Sequence, residues 1–225
     1  MSKPSMIAVD GPSASGKSTL AEKLAEYLGY LYFDTGVMYR AVTFAVLQND
    51  ISLENEKEIS DLAEKIVIDV NPATQKDGRK NDVLLNGKDV TWNLCKPDVE
   101  ARVSQVSSYA IVRKAMTEQQ RRIGIRGRVV MVGRDIGTVV LPDADLKIYL
   151  DASIEERARR RYEERKRRGE KISYEQVLEG MQNRDQIDSS RKIAPLQAAK
   201  DAVVIQSDGF TSDDILKQVI GLIEK

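Results

Sequence analysis

The chain has 225 residues with 35 basic and 35 acidic side chains, one cysteine and no histidine. That length fits one α/β domain with excursions, and the zero net charge means that any basic site is local, with no global pull toward nucleic acid or membrane. Lone Cys95 excludes an internal disulfide and a cysteine-built zinc site, and the absence of histidine excludes His triads, His metal ligands and His general bases.

The first residues, Met1 to Ser5, lack the apolar core of a signal peptide, and no run reaches membrane-spanning length; the expectation is a soluble cytoplasmic protein. Met6-Ile7-Ala8-Val9 reads as a buried strand. Gly11-Pro12-Ser13-Ala14-Ser15-Gly16-Lys17-Ser18 then fits the phosphate-loop pattern G-x-x-x-x-G-K-[ST] at every fixed position. Leu20, Ala21, Leu24, Ala25 and Leu28 follow on one face of a helix. Strand, loop and helix together are the context this motif needs. Glycines let backbone N–H groups curl toward phosphate oxygens, and the helix start adds a positive dipole. In that pattern Lys17 reaches the terminal phosphates of a nucleoside triphosphate, and the Ser18 hydroxyl is offered to Mg²⁺.

Gly29 supplies a helix stop, and Tyr30 to Phe33 reads as a second strand. Asp34 or Thr35 can cap the next helix, about Val37 to Leu47. Tyr39 and Arg40 lie in its first turn, where a cation opposes the dipole unless it faces an anion. Asn55 to Lys65 reads as a surface helix. Ile66–Val70 and Asp82–Asn86 read as strands of a hairpin, with Asn86-Gly87 a tight-turn signal. This cluster breaks the strand–helix alternation and is taken as an insert, with Trp92 packing it. Helical period runs from Pro97 to Arg122. Arg128–Val132 is the most apolar strand and leads into Gly133-Arg134-Asp135-Ile136-Gly137-Thr138. At the carboxyl end of a parallel strand, Arg134 and Asp135 stand where open α/β sheets bind ligands.

Leu146–Leu150 is a further strand. Glu155 to Arg168 holds eight Lys or Arg against four Glu, with Arg157, Arg160 and Arg161 on one side. With Arg168-Gly169 as a hinge and a second helix from Tyr174 to Ser190, this reads as a lid that folds over phosphates. Arg184, Asp188 and Arg191 share one face of that second helix. Ala202–Ile205 and a helix from Thr211 to Glu224 close the alternation, with Ser207-Asp208-Gly209 as the turn. The expected fold is an α/β phosphate-loop domain. It has a five-stranded parallel sheet flanked by helices, a core of about 1–50, 97–152 and 190–225, a hairpin insert over 50–96 and a helical lid over 153–189.

These motifs resemble those of the bacterial cytidylate kinase family across essentially the whole chain. The resemblance rests on the phosphate loop, Asp34-Thr35-Gly36-Val37-Met38-Tyr39-Arg40, Ser104-Gln105-Val106, and Gly133-Arg134-Asp135-Ile136-Gly137-Thr138-Val139-Val140. Arg184-Asp185 and Arg191-Lys192-Ile193-Ala194-Pro195-Leu196 complete it. It implies transfer of the ATP γ-phosphate to CMP or dCMP with Mg²⁺; the near-zero net charge and the lack of an exposed apolar stripe or basic continuation set the expectation of a monomer that binds neither nucleic acid nor membrane. It further implies that Gly11 to Thr19, with Arg157 and Arg160, bind ATP, and that Thr35, Tyr39, Arg40 and Arg134 hold the acceptor's phosphate. Ser104, Arg113 and Asp135 would read cytosine, Arg184 and Asp188 would meet the sugar, and Arg191 would reach the transferring phosphate. Lys17, Arg134, Arg157, Arg191 and Asp34 form the implied catalytic set. Asp34 is there as the candidate to hold Mg²⁺ through water, because relatives often carry an acid where this chain has Val132. Adenylate-kinase-type loops read G-x-P-G-x-G-K-G-T, unlike this one, and the D-x-x-G and N-K-x-D signatures of GTPase switches are absent.

Overall fold

A computed structural model describes residues 3–191 and 194–224. In chain order the elements are β1 (Met6–Asp10), α1 (Lys17–Leu28), β2 (Leu31–Asp34), α2 (Gly36–Gln48), α3 (Glu56–Lys65), β3 (Ile68–Pro72), β4 (Asn81–Leu85) and β5 (Lys88–Asp89). Then follow α4 (Pro97–Val106), α5 (Ala110–Gly124), β6 (Val129–Val132), β7 (Leu146–Asp151), α6 (Ile154–Arg167), α7 (Tyr174–Ser190), β8 (Val203–Gln206) and α8 (Ser212–Ile223). A single 3₁₀ turn covers Thr91–Cys95, and a π-helical turn covers Ile136–Val140. The five-stranded sheet runs β2-β6-β1-β7-β8, as expected for a phosphate-loop domain, and β3-β4-β5 form a second sheet. The chain divides into two compact units, Met1–Tyr30 with Val130–Lys225, and Leu31–Val129.

In the first unit β1 pairs parallel with β7 and β7 with β8, so Val9 stands opposite Ile148 and Leu150 opposite Ile205. In β1 and β7 the apolar residues are covered, with Ile7, Val9, Ile148 and Leu150 buried beside Leu20 and Leu24 of α1, whereas edge strand β8 buries only Ile205. α1 stops at Gly29, whose φ of 67° is left-handed and whose N–H reaches the Ala25 and Glu26 carbonyls. The helices α7 and α8 open on capping boxes, Ser173 with Gln176 and Thr211 with Asp214. The charged α6 and α7 meet over a small apolar cluster of Ala158, Val177 and Met181, against which Ala14, Tyr162 and Tyr174 pack.

The second unit packs α2 through Met38, Ala41, Val42, Phe44 and Val46. Its small sheet is antiparallel. Asn86 and Gly87 both have positive φ, 49° and 79°, and make the tight turn from β4 into β5, a two-residue strand that the hairpin expectation did not contain. The loop before β4 is drawn together by Arg79, which bonds Asp77, Asp82 and Asp89. Trp92 is not core packing: its ring is half exposed and its indole N–H donates to Asp77 at 2.9 Å.

The expected single helix from Pro97 to Arg122 is two helices. Ser107 and Ser108 turn their hydroxyls back onto the Ser104 and Gln105 carbonyls, at 3.1 and 2.6 Å, in competition with the helical ladder. The Tyr109 hydroxyl then donates to the Leu53 carbonyl at 2.5 Å and fixes the break. A Cβ at Gly29 has to take the left-handed conformation. Gly29→Ala is expected to lower stability by about 1 kcal/mol, seen as a melting temperature roughly 2–4 °C lower with nucleotide binding unchanged.

Candidate active site

The first unit carries the phosphate loop. Gly11 has φ 147°, and a Cβ there would collide with the Leu150 carbonyl of β7, so glycine alone fits. Ala14 takes φ 60° and Gly16 φ 96°, curling the chain into the start of α1. That start has no side-chain cap. An uncapped helix start behind a curled loop is a seat for an anion. Lys17 is 6% exposed and donates from Nζ to the Pro12 carbonyl at 2.6 Å, while Ser18 and Thr19 are exposed.

Three groups hold the back of the loop. The Arg157 guanidinium donates to the carbonyls of Ala152 (2.9 Å) and Ser13 (3.4 Å) and pairs with Asp185 at 2.7 Å. Arg160 donates to the carbonyls of Ser15 (3.3 Å) and Ser207 (2.9 Å). The Ser207 hydroxyl also donates to Ser15, at 3.1 Å. Both expected lid arginines therefore reach the loop, whereas Arg161 pairs with Glu164 on its own helix.

Beyond β6, Arg134 pairs with Asp188 at 3.1 Å, and Asp188 pairs through its other oxygen with Arg191. This Arg–Asp–Arg triad joins three of the residues singled out in the sequence. Asp188 is 2% exposed, and Asp135 is also buried. Arg184, one turn before Asp188 on α7, is exposed, whereas Asp188 is buried. Lys192 and Ile193 of the family motif lie outside the described residues.

In the second unit Asp34, not Thr35, serves the start of α2: its Oδ1 accepts from the Gly36 N–H at 2.9 Å, and Thr35 makes no side-chain cap. Arg40 is the fifth residue of α2, just past the first turn in which the sequence reading put it, and among the described residues no hydrogen bond or ion pair engages its guanidinium. A guanidinium with no bonded carboxylate suits an anionic ligand. Arg113 of α5 is buried, stacks over the Tyr39 ring at 5.6 Å and reaches the Ser107 carbonyl at 3.5 Å. Ser104 is exposed on α4.

A family model described as cytidylate kinase matches residues 7–225. The chain belongs to the cytidylate kinase family. The cytidylate kinase of Roseiflexus castenholzii is 52% identical over 224 residues, covering 99% of this chain and 95% of that protein. That of Herpetosiphon aurantiacus is 48% identical over 223 residues, covering 99% and 96%. The Bacillus subtilis cytidylate kinase is 42% identical over 225 residues, covering 100% and 99%. Among solved structures, an uncharacterized protein from Eubacterium ventriosum is similar in fold, with TM-score 0.51 and 13% identity over 97% of this chain and 98% of that one.

Ser207 and Asp10 were given no role from sequence, and Asp185 entered only as part of the Arg184-Asp185 motif. Ser207 read as part of a plain turn. Asp10 had one available signal, a carboxylate closing an apolar strand where no solvent face remains. It accepts from the N–H groups of Ile136 (2.8 Å) and Gly137 (2.7 Å). Burial pushes Asp10 up to about 6 from 3.8, against those two bonds; nearby Asp135 raises it further and Lys17 lowers it. Between 3.8 and 6 the native state holds this proton more tightly than the unfolded chain, so the contribution to stability is full below that window and lost as pH rises through it. The stability of the native protein minus that of Asp10→Asn, from urea unfolding, is expected to fall from pH 4 to pH 7.5 by on the order of 3 kcal/mol.

Proposed function

We propose that this protein transfers the γ-phosphate of ATP to CMP, and to dCMP, giving ADP with CDP or dCDP. What carries the reading is the phosphate loop, with buried Lys17 at its centre and Arg157 and Arg160 behind it, in a chain matched to the cytidylate kinases from residue 7 to 225. Phosphoryl transfer asks little covalent work of the protein; it needs in-line positioning and neutralised oxygens. The acceptor is itself a phosphate whose second pKa is about 6, so it is largely dianionic at neutral pH and needs no general base. The lack of histidine is then no obstacle.

In this reading the backbone of Gly11 to Thr19 cradles the ATP phosphates, and Lys17 exchanges the Pro12 carbonyl for the terminal phosphates. Arg157 and Arg160 would exchange the loop carbonyls for donor phosphate oxygens as the lid closes. Thr35, Tyr39, Arg40 and Arg134 hold the CMP phosphate; Ser104, Arg113 and Asp135 meet cytosine; Arg184 and Asp188 meet the sugar. Arg191 steadies the transferring group. An ionised Asp135 accepts from the exocyclic amine of cytosine and repels the carbonyl that uracil presents there.

Among the described residues no cluster of three acidic, Cys or His side chains could cage a metal ion. The exposed Ser18 hydroxyl fits a Mg²⁺ that would be carried mainly by nucleotide phosphates and water, and Asp34 is the acid we propose to meet it through water. When bound, such an ion neutralises charge on the transferring phosphates. We further propose a monomer that works in the cytoplasm; no helix among the described residues is long and apolar enough to cross a membrane.

A panel of nucleoside monophosphates with Mg·ATP tests the assignment: CMP and dCMP should give diphosphate far faster than UMP, AMP or GMP, and a preference for AMP or GMP overturns it. Lys17→Ala should lower kcat at least 100-fold with the fold retained by circular dichroism, because its charge acts on the transferring oxygens. Asp135→Ala should cut the CMP-over-UMP ratio of kcat/KM by roughly 10- to 100-fold while leaving ATP affinity within about twofold.

A further inference from the structure

Asp10 is a costly residue in its position. It ends β1, is 4% exposed, and among the described residues has no arginine or lysine bonded to its carboxylate; the hydrogen bonds it accepts come from backbone. Burying a carboxylate this way is unfavourable unless the bonds it makes are needed, and an apolar side chain would fill the same space more cheaply. The two N–H groups it accepts belong to Ile136 and Gly137, the residues that directly follow Arg134 and Asp135. One step earlier the Gly133 N–H donates to the Val9 carbonyl at 3.1 Å. One step later in the chain Gly11 opens the phosphate loop. The approach is tight on the other side as well: a Cβ at Gly137 would stand 3.2 Å from the Lys147 side chain and 3.4 Å from Asp10 Oδ2.

We propose that Asp10 is a positioning residue for the acceptor: through Ile136 and Gly137 it holds the Arg134–Asp135 segment in register with the phosphate loop. It touches neither nucleotide. The carboxylate is the one acidic side chain short enough to serve two adjacent N–H groups from the end of the strand. An asparagine accepts from one of them and turns an NH₂ against the other, freeing the segment. The inference rests on the assignment of Arg134 and Asp135 to CMP.

Steady-state kinetics of Asp10→Asn, Gly137→Ala and Asp135→Ala, with CMP and UMP as acceptors, test it. Asp10→Asn should raise KM for CMP about tenfold and lower CMP-over-UMP selectivity about fivefold, with KM for ATP within about twofold. Gly137→Ala displaces the same contact from the opposite side without removing the carboxylate. It should shift KM for CMP in the same direction, and it keeps the test decisive if Asp10→Asn does not fold. Equal increases in KM for ATP and CMP, or a fall in kcat with KM for CMP unchanged, would mean that Asp10 only packs the loop and overturn the proposal. If Asp135→Ala leaves selectivity intact, the assignment of Asp135 to cytosine fails instead, while the KM comparison still decides the role of Asp10.

Discussion

The nucleotide end of this protein depends on one close approach, that of Gly11 to the carbonyl of Leu150. No side chain fits there, so the strand β1 can pass against β7 and turn at once into the phosphate loop. The same strand β7 then leads through Asp151 and Ala152 into α6, whose Arg157 bonds both Ala152 and the loop. Parallel pairing of β7 with β8 sets Asp151 opposite Gln206 and so delivers Ser207 onto Ser15. One sheet register thus sets three tethers on one loop. A loop held this firmly presents its N–H groups without reordering when a phosphate arrives, which is how a preorganised site gains affinity.

A second constraint follows from charge. The chain sums to zero, yet at this end it buries Lys17, Asp10, Asp135, Arg157 and Asp188. Buried ions are poor sources of stability, because desolvation offsets most of their attraction. Their placement is therefore better explained by what they orient. Asp188 faces two arginines and holds each guanidinium in place; Asp185 does the same for Arg157. Arginine suits this use, since its planar fork can serve a carboxylate with one edge and a phosphate with another.

The elements that were legible in sequence are those in which one local signal decides. The phosphate loop is a fixed pattern, Gly29 and Gly87 stop or turn the chain by their positive φ, and β1 and β6 carry apolar runs, Met6–Val9 and Val129–Val132. The readings that failed needed information from outside the segment. Apolar spacing from Val99 to Ala115 continues through Ser107 and Ser108, so the helix break depends on hydroxyls and on a tyrosine that reaches back to Leu53. Strand β5 has two residues and no periodicity of its own. Trp92 is an apolar residue used for its N–H. At the site, Lys17 and Ser18 announce themselves by spacing, whereas Asp10 stands one residue before the motif and finds its partners 126 and 127 residues later. Spacing along a chain cannot report a bond of that kind.

Arg134 of the first unit and Arg40 of the second are prepared differently for an anion. Arg134 is held by Asp188, so taking up a phosphate means sharing or leaving a carboxylate, and the gain is reduced by that exchange. Arg40, the fifth residue of α2, has no ion pair among the described residues. The first arrangement favours orientation of an anion, and the second favours net attraction.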